Sequence, residues 1–151
     1  MNERETKWDK RFLQLAKFIS SWSKDPSTKV GAVITDDNKI VSVGYNGFPK
    51  NIADDIRLQD REVKYQFIVH GEINAIHHAN RSLKGCTLYT YPFMPCARCG
   101  SQIIQTGIER IVSIENNNER WRDSFNVSQI LFKEAGIKLH LYSSNEVGIE
   151  I

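Results

Sequence analysis

Four residues carry types and spacings that can do chemistry together: His70, Glu72, Cys96 and Cys99. Cys96 and Cys99 stand three positions apart, directly after Pro95, which suits a helix start because its missing N–H costs little there. Two cysteines at that spacing share a helix face, and the positive end of the helix dipole favours their thiolate forms. With the imidazole of His70 they make three good ligands for Zn2+. Three protein ligands mark a catalytic zinc, because a structural site closes with a fourth, and the open position takes water.

His77 and His78 are the obvious candidates for a fourth ligand, which would make a structural Cys2His2 site. A helix rising about 1.5 Å per residue puts His77 roughly 10 Å along the axis from His70, too far to share one ion. Glu72 supplies the other half of the chemistry. Residues i and i+2 do not share a face inside a regular helix, but both can flank a metal placed over its N-terminal end. Zinc with two thiolates and a neutral imidazole is a net neutral centre, and it acidifies water less than a three-histidine site does. A positioned carboxylate that accepts the proton therefore helps, and it can return that proton to a ring nitrogen and then to leaving ammonia. An amidine-like carbon such as C4 of cytosine needs both transfers. A lone C-x-x-C also serves redox chemistry, and a lone H-x-E occurs by chance. H-x-E followed by P-C-x-x-C is the pattern of zinc nucleobase deaminases.

The remaining candidates read more plainly. Cys86, after Gly85, reads as a small buried residue at a strand start, and His140 as an ordinary histidine of the last strand. The three tryptophans read as core rather than a stacking platform. Residues 115–122, rich in Asn and charge, read as a solvated loop from which Arg120 or Arg122 can reach a phosphate.

These residues must be held by a framework. A chain of 151 residues, 40% apolar and 25% charged, is the usual size for one domain with one core, and no repeat or Gly/Pro/Ser-rich linker divides it. We expect a single domain over 1–151. Trp8, Phe12, Leu15 and Ile19 fall on one face of a helix over 6–21, which Pro26 and its neighbours end. Two β-rich runs, 30–35 and 40–43, flank the turn residues Asp36-Asp37-Asn38 and predict a hairpin. Residues 44–49 open a long polar loop. Helices are expected over 69–79, 96–106 and 127–135, and strands over 87–90, 108–114 and 137–142. One hairpin joined to several crossover units gives an α/β fold with a mixed sheet.

The net charge of +2 is too mild to argue for nucleic-acid binding, and there is no dense Lys/Arg cluster. No apolar run approaches a membrane span, and the charged N-terminus lacks an apolar signal core, so a cytoplasmic protein without membrane partners is expected. An odd count of three cysteines there favours metal or redox chemistry over disulfides.

From about Trp22 to Gly136 the chain resembles the deoxycytidylate (dCMP) deaminases of the cytidine deaminase-like superfamily. The resemblance is carried by Ser27-Thr28-Lys29-Val30-Gly31, Gly44-Tyr45-Asn46-Gly47, His70-Gly71-Glu72-Ile73-Asn74-Ala75-Ile76, Gly85-Cys86-Thr87-Leu88-Tyr89, Pro95-Cys96-Ala97-Arg98-Cys99 and the run 103–108. It implies a three-layer α/β/α fold around a mixed five-stranded sheet. It also implies hydrolysis of dCMP to dUMP, with Zn2+ on His70, Cys96 and Cys99 and Glu72 as catalytic residue. By the same resemblance Asn46 contacts the sugar or base, and the backbone N–H of Gly71 faces the pyrimidine carbonyl. Thr28 and Lys29 lie where the 5′-phosphate enters. Relatives of this kind form hexamers or smaller homo-oligomers, and some respond to dCTP and dTTP.

Two departures stand out. Gly71 replaces the usual alanine of H-A-E, and the missing methyl suggests room for a 5-substituted cytosine. Residues 91–94 make the link to Pro95 one residue longer than is familiar. The longer Cys/His insertion of some phage relatives is absent, so no second zinc is expected. The rival readings are a deaminase of another cytosine nucleoside or nucleotide such as cytidine or dCTP, a deaminase of tRNA adenosine, and a zinc-bearing module without catalysis.

Overall fold

A computed structural model describes residues 2–150. Helix α1 spans Glu3–Ser20, and Asn2 caps it by accepting from the Glu5 N–H. Strands β1 (Gly31–Asp36) and β2 (Lys39–Tyr45) form the expected hairpin. Asp37 and Asn38 close it with φ of 49° and 62°, the left-handed pair that matches strand twist. There follow α2 (Arg61–Phe67), α3 (Gly71–Ala79), β3 (Thr87–Tyr91), α4 (Ala97–Gln105), β4 (Arg110–Ile114), α5 (Arg122–Ala135), β5 (Lys138–Tyr142) and the short α6 (Ser144–Val147).

The strand order is β2-β1-β3-β4-β5. β1 runs antiparallel to both neighbours, and β3, β4 and β5 run parallel. Alternate side chains divide the core. Ala32, Ile34, Leu88 and Ile111 face the layer of α3, α4 and α5, where Ala75, Ile103 and Phe132 meet them. Val33, Tyr89 and Val112 face α1, meeting Phe12, Leu13 and Ala16. This is the expected three-layer α/β/α arrangement around a mixed five-stranded sheet. Two glycines let the layers close. A Cβ on Gly31 would collide with the Ala16 carbonyl of α1, and one on Gly44 with the Ala75 backbone of α3. Among the described residues no helix is long and apolar enough to cross a membrane.

The structure adds elements to the expected ones in three places, one of them the short α6 after the last strand. The polar loop after β2 holds a 3-10 turn at Ile56–Gln59 and then α2. α2 has only seven residues, and its buried residue is Lys64, so it carries no apolar stripe. The solvated loop of 115–122 likewise contains a 3-10 turn at Glu119–Trp121, and α5 starts at Arg122 rather than 127.

One buried polar knot ties α1 to the sheet. Asp9, with its side chain 1% exposed, accepts from the Tyr89 hydroxyl at 2.8 Å, the Tyr142 hydroxyl at 2.7 Å and Arg110 Nη1 at 2.8 Å. Asp9→Ala would take the buried carboxylate from Arg110, leaving it Glu5 at 3.0 Å, and remove the acceptor that the Tyr89 and Tyr142 hydroxyls share. The expected loss is about 3–5 kcal/mol, the cost of halving a buried ion pair, or roughly 6–20 °C in melting midpoint for a domain of this size. Calorimetry checks this, and a shift under 2 °C would count against the knot.

Candidate metal centre and substrate cavity

Two helix N-termini meet at the site. His70 is the N-cap of α3, with extended backbone at φ −69° and ψ 153°, and Cys96 is the N-cap of α4 at φ −69° and ψ 169°. Neither uses its side chain to cap the helix, so both side chains are free to turn towards a shared point. The helices nevertheless start firmly, with Asn74 N–H on the His70 carbonyl at 3.0 Å and Gly100 N–H on the Cys96 carbonyl at 2.8 Å. Because His70 lies outside the helix proper, the i, i+2 restriction does not bind it to Glu72. Ser124 and Ser128 of α5 brace the second terminus, the first accepting from Ala97 N–H at 2.8 Å and the second donating to the Pro95 carbonyl at 2.8 Å.

His70 Nδ1 lies 3.1 Å from Cys99 Sγ and 3.5 Å from Cys96 Sγ, and the three ligand atoms all lie within 4.8 Å of one another. Zn–N and Zn–S bonds at tetrahedral angles put nitrogen and sulfur about 3.5 Å apart. The donor set therefore fits one zinc ion, with His70 offering Nδ1. The hydrogen bond from Cys99 and the neighbouring His70 lower the Cys96 thiol to about 4. The same bond to Cys96, together with burial and Glu72, pushes the Cys99 thiol up. His70 is raised, chiefly by its hydrogen bond to Cys96. Both sulfurs must lose their protons to ligate a metal, so metal binding here is coupled to proton release.

Glu72, only 4% exposed, follows in the first turn of α3. Burial raises its carboxyl above the usual range. His70, Glu72 and Cys96 line a cleft that is partly open to solvent.

The other expected contacts fall into place unequally. Thr28 lines the cavity. Asn46 lines it too, but its amide is in use. Its Oδ1 accepts from the Val30 N–H at 2.8 Å, and its Nδ2 donates to the Thr28 carbonyl at 2.9 Å and to Asp25 Oδ2 at 3.3 Å. A second lone pair on Oδ1 remains for a ligand hydroxyl. Lys29 Nζ donates to the Ser23 carbonyl at 2.6 Å, and Lys29 is not among the residues lining the cavity. At Gly71 a Cβ would meet the Val30 carbonyl oxygen at 3.2 Å and Tyr45 Cα at 3.3 Å. The missing methyl thus serves a close approach of α3 to the backbone of residues 30 and 45. His78 Nδ1 sits 3.1 Å from the Val43 carbonyl, away from the cluster, and Cys86 is fully buried.

Several cavity residues escaped the reading of the sequence. Asp25 and Lys64 form a buried ion pair, Nζ to Oδ1 at 3.0 Å, across 39 positions of chain. Asp25 Oδ1 also accepts from the Ser27 and Thr28 N–H groups, an Asx turn that the Asp-Pro-Ser-Thr run could have signalled. Trp121 packs against the core and also lines the cavity, with Tyr65 and Phe93 each 6.3 Å away between ring centroids. Arg120 lines it as well, while Arg122 borders an adjacent hollow.

A family model, the cytidine and deoxycytidylate deaminase zinc-binding region, matches residues 6–115. The chain is 47% identical over 137 residues to an uncharacterised deaminase in the luxG 3′ region of Aliivibrio fischeri, covering 89% of this chain and 92% of that one. It is 35% identical over 140 residues to the deoxycytidylate deaminase of Homo sapiens, covering 86% of this chain and 76% of that one. In fold it is similar to the dCMP deaminase of cyanophage S-TIM5 solved with dCMP and dUMP. That match has a TM-score of 0.73 at 22% identity and covers 93% of this chain and 99% of the other.

Proposed function

Since the chain belongs to the cytidine and deoxycytidylate deaminase zinc-binding family, we propose that it acts as one domain converting dCMP and water to dUMP and ammonia. The observation that carries this is the meeting of the His70, Cys96 and Cys99 donors with the buried Glu72 at one wall of a cleft partly open to solvent. His70 Nδ1 and the two sulfurs hold the zinc. Bound zinc supplies Lewis acidity that lowers the pKa of a water beside it.

The chain's own groups do the rest. Glu72 takes the proton of the attacking water as its oxygen bonds to C4, and passes that proton to the ring nitrogen N3. It then carries the second water proton to the 4-amino group, the C4–N bond breaks, and ammonia leaves. Burial raises its carboxyl, which suits a group that must hold a proton between the two transfers. On this reading the Gly71 N–H, at the N-terminus of α3, donates to the pyrimidine carbonyl. The second lone pair of Asn46 Oδ1 can accept from a sugar hydroxyl.

A homo-oligomer under nucleotide control belongs to the same reading. Phe18 and Trp22, 59% and 50% exposed, pack edge to face beside Tyr45 and support an apolar contact face there. Three free thiols suit a reducing, cytoplasmic setting.

Ammonia release from dCMP, CMP, dCTP, deoxycytidine and 5-methyl-dCMP, with bound zinc measured alongside, tests the assignment. We expect dCMP to lead deoxycytidine by at least about tenfold in kcat/KM, the worth of one charge-assisted contact. No release from dCMP by zinc-loaded protein, or a clear preference for cytidine or a tRNA adenosine, would overturn it.

A further inference from the structure

Cys96 is placed by a helix to which it does not belong. The peptide groups on either side of it are both held by α5. Ser128 donates to the Pro95 carbonyl at 2.8 Å, and Ser124 accepts from the Ala97 N–H at 2.8 Å. The two serines stand four residues apart, so one face of α5 grips the chain just before and just after the cysteine. Ser128 is fully buried and Ser124 is half-buried. α4 lies close against that face. A Cβ on Gly100 would meet Phe132 Cζ at 3.2 Å and Ser128 Oγ at 3.5 Å.

The bracket supplies what Cys96 gives up by serving as a ligand. The first turn of a helix has N–H groups without intrahelical partners, and the N-cap side chain ordinarily meets one of them. Cys96 holds the N-cap position but turns its sulfur towards His70 and Cys99. Ser124 meets a donor of that turn from α5 instead. The histidine on the other helix is fixed differently. Gly47 and Val69 exchange backbone hydrogen bonds at 3.1 and 2.8 Å, directly before His70. His70 is thus set by main-chain pairing, whereas Cys96 is set by two hydroxyls. Those hydroxyls sit on a firm base, because Phe125 and Phe132 anchor α5 in the core.

We propose that Ser124 and Ser128 are positioning residues for the metal. They fix the main chain on both sides of Cys96, and so the direction in which its sulfur points. Little binding free energy then goes into ordering that ligand, and the three donors keep one geometry. Neither serine belongs to the donor cluster or lines the cleft, so each acts through Cys96 and not on the substrate. The inference rests on the reading of the cluster as a zinc centre. It adds which groups outside the cluster hold it in shape, and it makes α5 a part of the metal site.

The test measures zinc affinity by chelator competition for wild type, Ser124→Ala, Ser128→Ala and the double variant, with Ser42→Ala as control. Ser42 is likewise buried and gives its hydroxyl to a helix carbonyl, that of Ala75 at 2.7 Å, but on α3 and away from the cluster. Expected is a loss of about tenfold for each single variant and up to about a hundredfold for the double, the range for groups that orient a metal's ligands, with Ser42→Ala within about twofold of wild type. Cobalt loaded in place of zinc gives a second readout that needs no turnover. The sulfur-to-cobalt and d–d absorption bands of the double variant should shift, and those of Ser42→Ala should match wild type. Ser124→Thr keeps the acceptor and should restore both affinity and spectrum. Hydroxyls that merely stabilise the fold would lower the melting midpoint of all these variants alike and leave affinity and spectrum unchanged, and that result overturns the proposal. Should Ser128→Ala fail to fold, Ser124→Ala and Ser124→Thr decide by the same measurements. Wild type that binds no zinc would sink the zinc centre and this inference together. Wild type that binds zinc tightly, with the serine variants equal to it, would sink this inference alone.

Discussion

Glu72→Gln is expected to lower kcat for dCMP by about 10²–10⁴-fold, the range of one general acid–base group, with zinc content unchanged at one per chain. The amide keeps the shape and the hydrogen-bonding reach of the carboxylate, so the first turn of α3 and the placement of His70 should hold. What it cannot do is carry a proton, and this reaction asks for two transfers at two atoms. No other carboxylate in the cavity is free to substitute. Asp25 is committed to the Ser27, Thr28, Asn46 and Lys64 donors. Ammonia release and metal content measured on the same preparation check the prediction. A variant within threefold of wild type would show that Glu72 is not the proton carrier, and would favour a zinc-bearing module whose function needs no catalysis.

The second large effect concerns the metal itself. Cys99→Ser should lose zinc to a mild chelator and lose activity by on the order of 10³-fold or more, because a thiolate is exchanged for a hydroxyl that does not ionise at neutral pH. Cys99 is 3% exposed and its sulfur lies 3.1 Å from His70 Nδ1, so no solvent ligand can enter on that side without moving α4. Cys86→Ser is the matching control. Cys86 is fully buried at the foot of β3 and outside the cluster, so that variant should keep its zinc. Metal analysis of both variants before and after dialysis against chelator decides the matter. Equal zinc in all three proteins would remove Cys99 from the ligand set.

The metal centre was legible because it is built from local pieces. His70-Gly71-Glu72 and Pro95-Cys96 each mark a helix start, and a helix start fixes where its first side chains point. The structure refined that placement. His70 and Cys96 are themselves the N-caps, one residue outside helices that the pattern began a residue or two too early. The strands and their order of appearance were legible for a similar reason, since alternation and turn residues act over a few positions. The α2 helix was not, because its buried residue is a lysine, and no periodicity of apolar residues announces a helix held down by an ion pair. The start of α5 was hidden likewise behind a polar run whose only large apolar members are Trp121 and Phe125, too few to show a helical period.

What the sequence by itself determined is the chemistry: two thiols, an imidazole and a carboxylate at spacings that local helix geometry converts into a zinc site with a proton carrier. What only the tertiary structure decided is which groups are left to meet a substrate. Asn46 has its Nδ2 and one Oδ1 lone pair engaged within the fold, Lys29 gives an N–H to the Ser23 carbonyl and stands off the cavity lining, and the room at Gly71 lets α3 approach residues 30 and 45. Lys64 and Trp121, which no local pattern announced, line the cavity instead. Hydrogen-bond capacity is finite, and the partners that use it up come from anywhere in the chain, so only the assembled fold shows which donors remain.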